Sequence, residues 1–216
     1  MNPLQQAQAE AAHALVRQGS LRGRELLSLL LGVPAMERES FVDTLLGLPE
    51  APPDEPRLPR GAVPYLPAGV DEILTMVSEV PLCGHDRFVD LGAGLGRVVL
   101  LAHLLTLAPA HGIEIQTQLV AAAQTCAQAL QLAGVTFQCA DAASVRLAGS
   151  VFFLYSPFSG STLQQVLAEL RSLAERQTVV VVTVGLELPG EAWLRRRSTA
   201  LPSLTIYESK CASSRT

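Results

Sequence analysis

Phe88-Val89-Asp90-Leu91-Gly92-Ala93-Gly94-Leu95-Gly96-Arg97 is the stretch that decides the fold. Phe88 to Leu91 is a short apolar run that stops on a glycine, and GRVVLLAHLLTLA, from Gly96 onward, reads as a largely buried helix. A strand, a glycine turn and a helix in that order open a parallel α/β unit. Glycines there allow a tight reversal and bring the backbone close to a ligand. The spacing is Gly-x-Gly-x-Gly, which departs from the Gly-x-Gly-x-x-Gly of dinucleotide-binding loops. Asp90 sits just before the turn. A carboxylate serves a pyrophosphate poorly and a cationic amino-acid group well.

Downstream, strand and helix signals alternate. HGIEI (111–115), VTFQCA (135–140), SVFFLYS (150–156) and TVVVVTV (178–184) read as strands. Between them lie helical stripes, Leu119-Ala123-Cys126-Leu130-Ala133 ending at Gly134, and Leu163-Val166-Leu167-Leu170-Leu173. Val70, Ile73, Leu74 and Val77 form another stripe ahead of the glycine loop. Right-handed crossovers then give a doubly wound, mostly parallel α/β sheet. WLRRRS (193–198) and LTIYES (204–209) differ, and fit an antiparallel hairpin at the sheet edge. Two more acids fall at successive strand ends. Glu114 could accept from both hydroxyls of a ribose, and Asp141 from an adenine amino group, or Asp141 could cap a helix before Ala142. Three acids in that register outline a crevice at the carboxyl edge of the sheet, where open α/β sheets bind ligands.

Upstream, seven of the 14 prolines lie between Pro49 and Pro67. They predict an extended, stiff connector. Residues 1–48 read as a helical cap, 49–64 as the proline-rich linker and 65–216 as the main domain. In the cap, Leu4, Ala7, Ala11 and Leu15 share one face, as do Leu26, Leu29 and Leu30. A third short helix starts after Ser40 with Phe41 and Leu45 inward. So short a segment buries little alone, so it packs on the main domain.

Composition narrows the classes. The 216 residues are 49% hydrophobic and 17% charged, which excludes general disorder. The net charge of −4 gives no prior for nucleic acid. The 15 Arg against one Lys, Lys210, read as compositional bias. Cys83, Cys126, Cys139 and Cys211 form no C-x-x-C pair, so we expect no metal site and no disulfide framework. The longest apolar run, Val98 to Ala108, is far short of the roughly 20 residues a spanning helix needs. The first residues carry no basic or apolar leader pattern. We expect a cytoplasmic protein.

Asp-Leu-Gly-Ala-Gly-Leu-Gly-Arg (90–97), with Glu114 and Asp141, resembles the class I, seven-strand S-adenosylmethionine-dependent methyltransferases, over roughly Tyr65 to Lys210. The terminal hairpin fits that family too. The resemblance implies that Asp90 and Gly92, Ala93, Gly94 and Gly96 hold the methionine part of S-adenosylmethionine. It places Glu114 and Ile115 at the ribose, and Asp141 and Ala142 at the adenine. Val63-Pro64-Tyr65-Leu66-Pro67-Ala68-Gly69 is similar to a Tyr-containing loop that folds over the cofactor in the non-SET protein-lysine methyltransferases, and FVDLGAGLGRVVL is also most similar to theirs. Tyr155-Ser156-Pro157-Phe158 occupies the place of the Asn/Asp/Ser-Pro-Pro-aromatic tetrapeptide that family members methylating nitrogen often carry, with one proline instead of two. The resemblance makes these four the acceptor-side residues and implies a nitrogen acceptor, on a protein lysine or a small-molecule amine.

Methyl transfer from a sulfonium is an in-line displacement with an activated leaving group, so positioning and desolvation supply most of the effect. Tyr65 or Tyr155 could face a cation. Glu72 and Glu187 are candidate proton acceptors; a solvated acid is the plainer reading of each. His103 and His111 read as packing or surface residues, and Arg195-Arg196-Arg197 as charge guarding an edge strand, so no nucleic-acid partner is expected. No Gly-x-Ser-x-Gly elbow and no Gly-Lys-Ser/Thr loop is present. An O-methyltransferase and a binding module that keeps the pocket without turnover remain as alternatives. We expect the cap and linker to shape the acceptor pocket, and removal of residues 1–48 to spare cofactor affinity and change acceptor turnover.

Overall fold

A computed structural model describes residues 1–56, 58 and 62–210. Seven strands form one sheet: β1 (Phe88–Leu91), β2 (Ala110–Glu114), β3 (Val135–Cys139), β4 (Val151–Tyr155), β5 (Val180–Val184), β6 (Leu194–Ser198) and β7 (Leu204–Ser209). Their order is β3-β2-β1-β4-β5-β7-β6. The first five are parallel, and β7 runs antiparallel to both β5 and β6. The chain winds outward from β1 to β3, then returns to β4, so the switch point lies between β1 and β4. This is the doubly wound sheet with a terminal hairpin that the sequence predicts.

Side chains alternate across the sheet. Phe88, Phe153, Val182 and Ile206 face one core; Val89, Phe152, Leu154 and Val181 face the other. The first core is covered by α1 (Pro3–Arg17), α2 (Gly23–Gly32), α3 (Ala35–Leu46), α4 (Val70–Glu79), α5 (Arg97–Thr106) and α6 (Thr117–Ala129). The second is covered by α7 (Gly160–Ala174). Both faces of the central strands β1, β4 and β5 are buried, which is why their sequences are largely apolar, whereas β3 at the edge is mostly exposed.

Local readings need correction in three helices. In α1 the buried residues are Ala9, Ala12 and Val16, whereas Leu4 is 69% exposed. Small residues let α1 lie close on α3, and His13 reaches across to the Leu45 carbonyl (2.9 Å). Helix α3 starts at Ala35, after Pro34, well before Ser40. Its first turns, Met-Glu-Arg-Glu-Ser, are polar because they carry a network described below, so no apolar stripe marks them. Helix α6 stops at Ala129, and Gln131 turns the chain at φ +55° ahead of Gly134.

The cap is not a detachable layer. Leu26, Leu30, Phe41 and Leu45 belong to the same core cluster as Phe88 and Phe153. Charged contacts reinforce this. Gly69 has no side chain with which to cap α4, so Glu39 Oε1 accepts the Val70 N–H at 2.7 Å. Arg38 pairs with Asp71 and donates to the carbonyls of Leu30 and Val33. Removing residues 1–48 therefore opens the core of the main domain.

Candidate functional site

The five parallel strands point their carboxyl ends at one cavity of about 320 Å³. Gly92 follows β1, Glu114 to Gln116 close β2, Ala140 to Ala142 follow β3, Tyr155 to Phe158 close β4, and Gly185 follows β5. The end of the linker and the first residues of the main domain supply the opposite wall, Ala62 to Leu66. This volume lies within the range of small-molecule sites. A narrower cleft shares Tyr65, Leu66, Gly92 and Tyr155 with the cavity and reaches Asp90, Ala93 and Arg97.

The glycine turn is built for close approach. Gly92 and Gly94 have φ of +91° and +54°. A Cβ on Gly92 would lie 2.4 Å from the Pro157 ring, and one on Gly94 would lie 2.2 Å from the Tyr65 ring. Side chains are excluded both by conformation and by space. Gly94 and Gly96 line neither hollow: Gly94 underlies Tyr65, and Gly96 is the N-cap of α5.

Asp90 is 2% exposed, and among the described residues no group donates a hydrogen bond to its carboxylate. Burial first, and the Glu114 charge second, push its pKa well above the usual carboxylate range. Glu114 is held differently. Its Oε2 accepts from Gly94 N (2.9 Å), and its Oε1 from Ile115 N (2.7 Å) and Gln116 N (2.9 Å). Three of a carboxylate's roughly four acceptor positions are filled by the chain, leaving one for a ligand hydroxyl. Asp141 lines the cavity and also accepts from Ala143 N (2.9 Å); it caps a turn, not a helix. Ile115 and Ala142 add apolar wall beside it.

Across the cavity, Ser156 is a strained residue at φ +41°, and its hydroxyl donates to the Val184 carbonyl (3.2 Å). Pro157 O accepts from Val63 N (3.3 Å), and Phe158 bridges Ala62, so the linker pairs with the loop after β4. Phe158 is buried in the second core as well as lining the cavity. The linker is pinned again at Asp54, whose Oδ1 accepts from Tyr65 N (2.9 Å) and Gln116 Nε2 (2.7 Å). Glu55 Oε1 accepts the Thr117 N–H at the start of α6. Burial raises the Tyr65 hydroxyl to about 12, so it stays protonated.

Several side chains weighed as chemical groups lie elsewhere. Glu72 accepts from Ser203 and Glu187 pairs with Arg196, both away from the cavity. Arg195, Arg196 and Arg197 are all paired, with Glu208, Glu187 and Glu79. His103 binds the Ala108 carbonyl, and His111 contacts Thr136.

Sequence reasoning passed over Arg97. Only 7% exposed, it starts α5 and donates to both Asp43 oxygens (2.9 and 2.7 Å), to Glu39 and to the Ala68 carbonyl (2.8 Å). Its partners lie in α3, so only an unusual cation inside an apolar helix pattern could have signalled it. Thr162 and Gly185 were also missed. Gly185 carries a signal, a glycine ending a strand as Gly92 does.

The arrangement fits S-adenosylmethionine. An undonated buried carboxyl (Asp90) suits an ammonium group, a part-filled carboxylate (Glu114) suits a hydroxyl, and an apolar slot beside Asp141 suits a flat base.

Comparison with known proteins agrees. The family described as "Histone methylation protein DOT1" matches residues 68–150, from the start of α4 to just before β4. No curated protein matches the chain. Among solved structures, an RNA methyltransferase from Salinibacter ruber in complex with S-adenosylhomocysteine is 25% identical. That match has a TM-score of 0.55 and covers 68% of this chain and 95% of that one. A SAM-dependent methyltransferase from Aquifex aeolicus is 14% identical, with a TM-score of 0.50, covering 64% of this chain and 89% of that one; it supports the fold. Among the described residues no helix is long and apolar enough to cross a membrane. With its seven-strand order, its glycine turn and the acids at the ends of β1, β2 and β3, the chain is a class I S-adenosylmethionine-dependent methyltransferase.

Proposed function

We propose that the chain methylates nitrogen, on a protein lysine or a small-molecule amine. The observation that carries this reading is the acceptor side of the cavity. Around Tyr155, Ser156, Phe158, Thr162 and Gly185 it offers hydroxyls, carbonyls and apolar surface, and no carboxylate or imidazole. A hydroxyl acceptor generally needs a base, whereas a neutral amine brings its own lone pair. The matched family carries histone methylation in its description, which supports a protein acceptor. The Salinibacter relative acts on RNA, but no cationic side chain lines this cavity and the net charge is −4.

Each residue then has a task. The bound cofactor supplies a methyl group on a positively charged sulfur. Asp90 accepts from the amino-acid ammonium, Glu114 from a ribose hydroxyl, and Asp141, with Ile115 and Ala142, flanks the adenine. Tyr65 closes the site from the linker side and excludes water. Tyr155, Ser156, Pro157 and Phe158 orient the acceptor nitrogen, whose N–H groups donate hydrogen bonds to the Ser156 hydroxyl oxygen and the neighbouring carbonyls. With no base on the acceptor side of the cavity, an ammonium acceptor gives up one proton to solvent before entry and arrives as the neutral amine.

The test is S-adenosylhomocysteine release with lysine peptides, small amines, phenols and RNA as acceptors, read against pH. The expected result is turnover with an amine, rising with pH as the free amine grows, and abolished in Pro157→Ala/Phe158→Ala. Turnover with a phenol or RNA alone overturns the nitrogen reading. Tight cofactor binding without turnover on any class favours a binding module.

A further inference from the structure

Cys83, Gly84, His85 and Asp86 make the turn that joins α4 to β1. Asp86 N donates to the Cys83 carbonyl (2.9 Å), and Cys83 N donates to Asp86 Oδ2 (3.0 Å). The fold of this turn converges three different ligand types. Cys83 Sγ lies 3.0 Å from His85 Nε2 and 2.8 Å from Asp86 Oδ2, and one ligand atom from each residue lies within 4.8 Å of the others. Cys83 and His85 are exposed. Asp86 is braced from behind, because its Oδ1 accepts from Ser150 Oγ (2.8 Å), and that hydroxyl accepts from Arg87 N (3.2 Å).

We propose that this turn binds a borderline divalent cation, with zinc the best match. One thiolate, one imidazole and one carboxylate is a zinc ligand set, and three protein ligands leave the fourth tetrahedral position to water. Tetrahedral zinc distances put sulfur and nitrogen about 3.5 Å apart. The sulfur must therefore draw back by about half an ångström, which exposed side chains on a turn allow. On binding, the Cys83 S–H bond breaks, a sulfur–metal bond forms and one proton leaves to solvent; nothing is oxidised or reduced. The two ligand charges, thiolate and carboxylate, neutralise the ion. The bracing hydroxyl of Ser150 fixes the carboxylate, as outer partners of metal ligands do. The spacing Cys-x-His-Asp contains no C-x-x-C pair, which is why a cysteine-pair criterion passes over it.

The position says what the ion does. Cys83 to Asp86 enter β1 and Ser150 enters β4, so the site sits at the amino edge of the sheet, opposite the cavity. An ion there clips the entry turns of the two strands that flank the switch point. It is a structural site and takes no part in methyl transfer.

The experiment titrates the full, untagged, metal-free chain with Co²⁺ and then with Zn²⁺. The expected result is one Co²⁺ per chain, bound with release of one proton and with a sulfur-to-cobalt charge-transfer band and tetrahedral visible bands, then displaced by Zn²⁺ with no further proton release. Zn²⁺ raises Tm in the wild type. Cys83→Ser and His85→Ala, both on an exposed turn and checked for fold by circular dichroism, lose the band or weaken affinity by about tenfold or more. Cys139→Ser, which removes the other exposed thiol among the described residues, keeps it. Absence of a charge-transfer band, its survival in Cys83→Ser, or its loss in Cys139→Ser overturns the proposal.

Discussion

Asp43→Ala asks whether α3 is tied to the cofactor loop through Arg97. Asp43 accepts two hydrogen bonds from one guanidinium, from Nε and Nη2. Exposed ion pairs contribute about 0.2–1 kcal/mol, whereas breaking a fully buried pair costs about 3–5 kcal/mol. This pair lies between those limits: the Arg97 side chain is 7% exposed and that of Asp43 38%. Glu39 and the Ala68 carbonyl stay on Arg97 in the variant. A cost of about 2 kcal/mol follows, a Tm fall of about 4–8 °C for a chain of this size. Arg97→Met should cost less, because its acids are left partly solvated and no buried charge is orphaned. On the Arg97→Met background, Asp43→Ala should cost almost nothing, giving a coupling of about 2 kcal/mol in the double-mutant cycle. Differential scanning calorimetry of the four proteins reads this directly. A Tm fall under about 1 °C, or equal falls in both backgrounds, refutes the link.

Three further outcomes follow from the same structure. Asp90 has a folded-state pKa above its unfolded value of about 3.9. It is protonated in both states at low pH, and as pH rises the unfolded chain ionises first, so ligand-free stability falls until the folded carboxyl ionises too. Asp90→Asn should raise Tm at neutral pH and flatten its fall above about pH 4, checked by thermal melts across pH. Gly94→Ala places a Cβ at φ +54° against the Tyr65 ring; it should cost at least about 1–2 kcal/mol from the backbone, with added Tyr65→Ala relieving only the steric share in urea melts. Arg196→Ala removes an exposed pair with Glu187 and should change stability by less than about 0.5 kcal/mol in the same assay.

All seven strands and the glycine turn could be read from the sequence, because local signals carry them. A buried parallel strand is a continuous apolar run, and the three acids fall at strand ends a fixed chemistry requires. Legibility failed where the determinant is distant or small. The buried face of α1 is Ala9-Ala12-Val16, since a close helix pair selects small residues and leaves Leu4 outside. The start of α3 is polar because Arg38 and Glu39 reach Asp71, Arg97 and Val70, which no local periodicity reports. The linker's prolines showed an extended segment, but its anchoring by Asp54 depends on Gln116, far along the chain. Ser156 was placed by resemblance; its positive φ is set by the turn out of β4.

The most direct measurement is calorimetric titration of the full chain with S-adenosylmethionine and S-adenosylhomocysteine, with NADH as control and with Asp90→Ala and Glu114→Ala in parallel. The predicted result is one micromolar site for both sulfur nucleosides, no NADH binding, and loss in both variants. A folded protein that binds neither nucleoside, or binds them equally well without Asp90 and Glu114, contradicts the assignment of the cavity.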